Sequence, residues 1–118
     1  MAVNEIVRVV LTPKGADADS AADRQIVLDM KIDPDTQLST GPYPAFGRIG
    51  DFRKPETLYP FALMFDGRLD FGAYATDGQP VHKIDIRAAK IAVGQEVAYH
   101  MGDDSAPYGI DMVTALLA

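Results

Sequence analysis

From Thr57 to Ile86 the chain reads TLYPFALMFDGRLDFGAYATDGQPVHKIDI, and this stretch constrains the fold more than any other. Asp66-Gly67 separates LYPFALMF from RLDFGAYA, and Asp77-Gly78 separates RLDFGAYA from PVHKIDIRA. An Asp-Gly pair between strand-like runs marks a tight hairpin, because a type I′ turn needs positive φ at both central residues. The two turns lie eleven residues apart, so three consecutive strands should form an antiparallel meander. On that reading Leu69, Phe71, Ala73, Ala75, Ile84 and Ile86 line the inner face, while Lys83, Asp85 and Arg87 face water.

The same period of two recurs on either side. In RQIVLDMKI, residues Ile26, Leu28, Met30 and Ile32 share one face, opposite Gln25, Asp29 and Lys31. In EIVRVVL, Val7, Val9 and Leu11 share a face, and Ile6 and Val10 flank Arg8 on the other, so that second face is expected to be partly covered. Val93-Gly94-Gln95-Glu96 turns into a strand with Val97, Tyr99 and Met101 aligned. A polar loop, GDDSAP, then leads to a last strand with Tyr108, Ile110, Met112, Thr114 and Leu116 in register. No helix is expected: ADADSAAD has no apolar face, and fourteen Asp against three Glu favours turns over helix interiors. The expected fold is therefore all-β, a single-domain antiparallel barrel of six or seven strands spanning residues 1–118. Closure is expected because open strand edges in so small a domain invite aggregation.

Residues 33–57, opening on Asp33-Pro34-Asp35, break the pattern. They read as a long crossover loop, rich in glycine, proline and aromatic residues, and loops of that length tend to be functional. The loop is expected to fold over the barrel, burying some of Tyr43, Phe46, Ile49 and Phe52.

Composition removes several kinds of function. A net charge of −6 weighs against a polyanionic partner, so nucleic acid is not expected. No cysteine means no disulfide framework, thiol nucleophile or cysteine-ligated zinc. No apolar run is long enough to span a bilayer, and residues 1–12 alternate and include Glu5 and Arg8 rather than forming a signal peptide. A cytoplasmic protein with no membrane contact is the expectation.

No catalytic residues are expected. Ser105 with His100 and Asp103 or Asp104 is the only local nucleophile grouping, and those residue types at a turn are read as supplying its hydrogen bonds. Metal is not expected either: Asp17, Asp19 and Asp23, like Asp33 and Asp35, lack the glycine and distal glutamate of a calcium loop. By strand parity His82 and His100 point to opposite faces, so they should not converge on a transition metal. GRIGDF has no preceding strand or following helix to make a phosphate loop. No cofactor is expected.

What remains is recognition. Residues 43–54 carry Tyr43, Phe46, Arg48, Phe52, Arg53 and Lys54 with only Asp51 as counter-charge, a combination of aromatic and basic groups suited to an interface hot spot. A non-enzymatic module that binds a protein partner, or a second copy of itself, through this segment is the leading reading. The alternative is a small-molecule-binding barrel or small enzyme whose pocket is lined by Tyr43, Tyr74, His82, Tyr99 and Tyr108. A cavity of about 300 Å³ or more with convergent polar groups would favour the second.

Two segments also resemble a known family. LSTGPYPAFGRIGD, within residues 38–52, is similar to the Gly-Tyr-Arg-Pro-x-Phe segment of the C-terminal β-barrel domain of elongation factor Tu. Residues 84–117 resemble the closing strands of that barrel, ending in Gly109, Asp111, Val113, Thr114 and Leu117 where the family has Gly-x-Val-Thr-x-x-Leu. Pro44 stands where the family's arginine follows the tyrosine, and Gly102-Asp103-Asp104 replaces its Arg-Glu-Gly-Gly turn. The resemblance implies a barrel with a binding surface; it implies neither nucleotide hydrolysis nor tRNA delivery.

Overall fold

The computed structural model describes residues 5–14, 24–40, 45–54, 56, 58–72 and 81–117. Eight strands occur among them: β1 (Glu5–Pro13), β2 (Gln25–Ile32), β3 (Ala45–Gly50), β4 (Tyr59–Leu63), β5 (Leu69–Asp70), β6 (His82–Ile84), β7 (Glu96–Met101) and β8 (Asp104–Leu117). The expected six or seven becomes eight because the span read as one long loop contains β3. Its glycines and flanking proline conceal a strand that pairs in full register with β2 on one side and β4 on the other.

All pairings are antiparallel, in the order β5-β4-β3-β2-β1-β8-β7-β6. Each strand thus lies beside its sequence neighbour, and β1 pairs with β8 to join the two ends of the chain. The sheet is nearly closed into a barrel. At the seam between β5 and β6, Arg68 bridges to Lys83 and the Ile84 amide donates to the Gly67 carbonyl at 3.0 Å.

A hairpin forms at Asp66-Gly67, but not through the expected type I′ turn: the Met64 amide donates to the Arg68 carbonyl at 2.8 Å, three residues turn the chain, and only Gly67 has positive φ, at 93°. The Asp77-Gly78 corner, Ala73, Ala75 and the 16–23 acidic run lie outside the described residues. Alternation holds through β1 and β2, where Val7, Val9, Leu11, Ile26, Leu28, Met30 and Ile32 are all buried. Leu69, Ile84 and Ile86 join them, and Phe71 packs against the core from its edge. Arg87 departs from expectation. It is half-buried rather than in water, and its guanidinium donates to the carbonyls of Leu63 (2.9 Å) and Met64 (3.3 Å) and to Ser39 Oγ (3.0 Å). Ile86 and Ile91, which flank it in sequence, are buried in the core.

The last strand also departs from expectation. Leu11 pairs with Ile110 but Val10 pairs with Met112, leaving Asp111 as an extra residue on β8. Such a bulge reverses the side-chain parity beyond it. Tyr108 and Ile110 therefore point inward, Val113 packs on the core, and Met112, Thr114 and Leu116 are exposed. Thr12 Oγ1 hydrogen-bonds the Asp111 carboxylate, fixing the bulged residue to β1. The β7–β8 connection is likewise tighter than a polar loop. Met101 pairs with Asp104, so only Gly102 and Asp103 turn the chain, and Ser105 lies within β8. Gly102 has φ 62°, the positive value that a type II′ hairpin requires at its first central position. No helix among the described residues is long and apolar enough to cross a membrane.

Candidate functional site

Strand β3 has one face in the barrel and one face out. Ala45 is buried and Ile49 packs against the core, whereas Phe46 and Arg48 project outward. Register builds the surface around them: Phe46 lies between Asp29 and Ala62, and Arg48 between Val27 and Pro60. Asp29 is held in a two-pronged ion pair by Arg8, with Nε–Oδ1 at 2.8 Å and Nη2–Oδ2 at 2.9 Å. These side chains line a shallow groove of about 230 Å³ on the outer wall. Continuing the register gives an outward row Met112–Val10–Val27–Arg48–Pro60 across five strands. Phe46 stands beside that row with 62% of its surface exposed.

After β3 the chain turns at Asp51-Phe52-Arg53-Lys54. The buried Asp51 carboxylate accepts from the Arg53 amide (2.9 Å), Arg53 Nε (3.0 Å) and Arg53 Nη2 (3.1 Å). The Arg53 side-chain hydrogen bonds, then the amide, pull the Asp51 carboxyl down to about 2. Arg53 is thereby committed to the turn itself. The Arg48 guanidinium lies 6.0 Å from the centroid of half-buried Phe52, which ties the turn to the outer face of β3. Of the six residues singled out in sequence, the structure thus places Phe46, Arg48 and Phe52 together. Arg53 bonds back to Asp51, Lys54 is exposed at the tip, and Tyr43 lies outside the described residues.

A second site opens at the same barrel end, where β2, β6 and β8 begin and β3 and β7 finish. A cavity of about 230 Å³ there is lined by His82, Tyr99 and Tyr108, with Ile49, Met101 and Ala106 supplying apolar surface and Arg24, Asp104 and Ser105 at its rim. The rings form a chain: Phe61–Phe71 at 5.9 Å, Phe71–His82 at 5.3 Å, His82–Tyr99 at 5.8 Å and Tyr99–Tyr108 at 5.4 Å between centroids. Most are edge-to-face, the arrangement that ring quadrupoles favour.

Two hydrogen bonds fix the phenols. Tyr108 donates to the Arg24 carbonyl at 2.9 Å, and Tyr99 Oη lies 2.5 Å from His82 Nδ1. Burial, reinforced by Tyr108, pushes the Tyr99 phenol up, and burial pushes the His82 imidazolium down, so both groups are neutral at pH 7. Phenol is the stronger acid and imidazole the stronger base, so Tyr99 donates and the imidazole proton resides on Nε2. Three of the pocket residues named from sequence therefore meet; Tyr74 and Tyr43 lie outside the described residues. Arg24, Ile49 and Met101 went unremarked for this site. The parity of β3 would have pointed to Ile49, had its glycines not masked the strand.

The remaining polar candidates are occupied elsewhere. His100 lies directly opposite Ser105 across the β7–β8 pair, but its Nε2 lies 2.7 Å from Asp85 Oδ2, so the carboxylate it meets is Asp85 rather than Asp103 or Asp104. Asp33 accepts from the Asp35 amide at 2.8 Å, a turn contact. Comparison of the chain with protein-family models, with curated proteins and with solved structures finds no match. The fold and its two surfaces thus define the class: a nearly closed antiparallel β-barrel with an exposed aromatic–basic strand face and a separate mouth cavity at one end.

Proposed function

We propose that this chain is a non-enzymatic binding module that seats a protein partner on the outer face of β3. The observation that carries this reading is Phe46: an aromatic ring left mostly in water near the start of β3, close to an arginine and a row of half-covered apolar side chains. Aromatic and arginine side chains on a preformed, rigid surface are the residues that dominate interface energetics. The barrel interior is filled by Val, Leu, Ile and Met, so recognition of a large partner falls to the outer wall. The resemblance of residues 38–52 to a translation-factor barrel segment supports the same region.

The partner's chemistry follows from the surface. An apolar side chain covers Phe46 and the Val10–Val27 row, and a carboxylate meets Arg48. A second copy of this chain, with its charge of −6, can supply such a carboxylate.

Site-directed photocross-linking in cells that make the protein tests the reading. A photoreactive residue replacing Phe46 should give a discrete adduct that disappears with Arg48→Glu. The same residue replacing exposed Val93 should give none. An adduct of twice the chain mass identifies the partner as a second copy. Equal yields from both positions, or an adduct indifferent to Arg48→Glu, would refute the proposal.

A further inference from the structure

We propose that the mouth cavity is a binding site for a small aromatic carboxylate, separate from the partner surface on the outer wall. Size sets the first limit. At about 230 Å³ the cavity falls short of the roughly 300 Å³ that a larger ligand would need. A dry cavity of about 150 Å³ already accepts benzene, however, so one ring with one substituent suits it. The lining sets the second: Ile49, Met101 and the tilted Tyr99 and Tyr108 rings offer flat apolar surface to an aromatic body.

The polar groups choose the substituent. Both phenol protons are used, Tyr99's by His82 and Tyr108's by the Arg24 carbonyl. With Tyr99 donating to Nδ1, the His82 Nε2–H has no protein partner among the described residues and is open to an acceptor from a ligand in the cavity. The guanidinium of Arg24 stands at the same mouth, close enough that its charge acts on the Tyr108 phenol. One neutral donor beside one cation matches a carboxylate. Asp104 also lines the cavity and disfavours additional negative charge, so a monoanion suits it better than a dianion.

Benzoate is the probe. Titrated into the full chain and followed by NMR, it should give saturable shifts at the ring signals of His82 and Tyr108, whereas benzylamine, of the same size and opposite charge, should give none. Arg24→Gln keeps the backbone carbonyl that receives Tyr108 and should weaken benzoate by about tenfold. His82→Phe keeps the ring contacts, removes the donor, and should weaken benzoate to a similar degree. The proposal is overturned by shifts that grow linearly without saturating, by equal binding of benzylamine, or by undiminished benzoate binding in Arg24→Gln, a variant changed at an exposed residue and checked for folding by circular dichroism.

Discussion

Replacing Gly47 by alanine is a demanding trial of the architecture, because a methyl group there has nowhere to go. A Cβ on Gly47 would approach the Val27 carbonyl oxygen more closely than real Cβ atoms lie, and would stand 3.0 Å from Phe61 Cζ and 3.1 Å from Leu28 Cα. Two of the three obstacles are backbone, so rotamer changes cannot relieve them. Strands β2 and β3 must separate, or Phe61 must leave its place against Phe71. Overpacking of this sort costs about 1–3 kcal/mol, and immovable backbone puts the site at the upper end. Alanine returns about 0.4–1 kcal/mol by restricting the unfolded chain. The net loss is therefore about 2 kcal/mol. For a domain of 118 residues that lowers Tm by roughly 8 °C, at about 4 °C per kcal/mol. Thermal and urea unfolding followed by circular dichroism should show the drop, with an unchanged urea m-value. A variant melting within about 2 °C of wild type would mean that residues 45–50 do not lie between β2 and β4 as described, since surface glycines tolerate alanine within about 0.5 kcal/mol.

Gly67→Ala meets two penalties, a φ of 93° and a Cβ 2.7 Å from the Ile84 carbonyl oxygen; it should destabilise by about 2–3 kcal/mol and speed hydrogen exchange of the Ile84 amide, the seam's own bond. Asp51 has its carboxyl depressed to about 2 by Arg53, so its stabilising effect is complete above the unfolded value near pH 4 and is lost as pH falls toward 2. Asp51→Asn should accordingly flatten the acid-unfolding curve between about pH 4 and pH 2. The bulge at Asp111 predicts opposite outcomes for adjacent residues: Met112→Asp, 54% exposed, should change stability by about 0.5 kcal/mol or less, while Val113→Asp should cost about 2 kcal/mol or more in urea unfolding.

How much was legible in sequence varied with the local physics. Strands β1 and β2 alternate without interruption, and their buried sets are those that the period of two predicts. β3 was invisible because its most informative position is a glycine. Gly47 reads as a breaker, yet it is there because the ring of Phe61 and the backbone of β2 press against it from both sides. β8 was half legible: alternation located Tyr108 and Ile110, but a bulge adds one residue without any change in composition, so Met112 was assigned to the wrong face. For the mouth cavity, parity brought His82 inward with Ile84. The meeting of Tyr99 with Tyr108 depended on the β7–β8 register, which a two-residue turn at Gly102-Asp103 sets and a longer polar loop would not. On the outer face, Phe46 and Arg48 were found by residue type alone. Their cooperation needs strand geometry, which puts both on one side and sends Arg53 back to Asp51.

The most direct measurement is cysteine labelling along β3. The chain has no cysteine, so single substitutions at Ala45, Phe46, Arg48 and Ile49 can be reacted one at a time with a water-soluble maleimide under native conditions. A strand with one face in the barrel predicts that positions 46 and 48 react at least about tenfold faster than 45 and 49. Uniform labelling at all four would return this segment to a loop, and with it would go the surface on which the partner is proposed to sit.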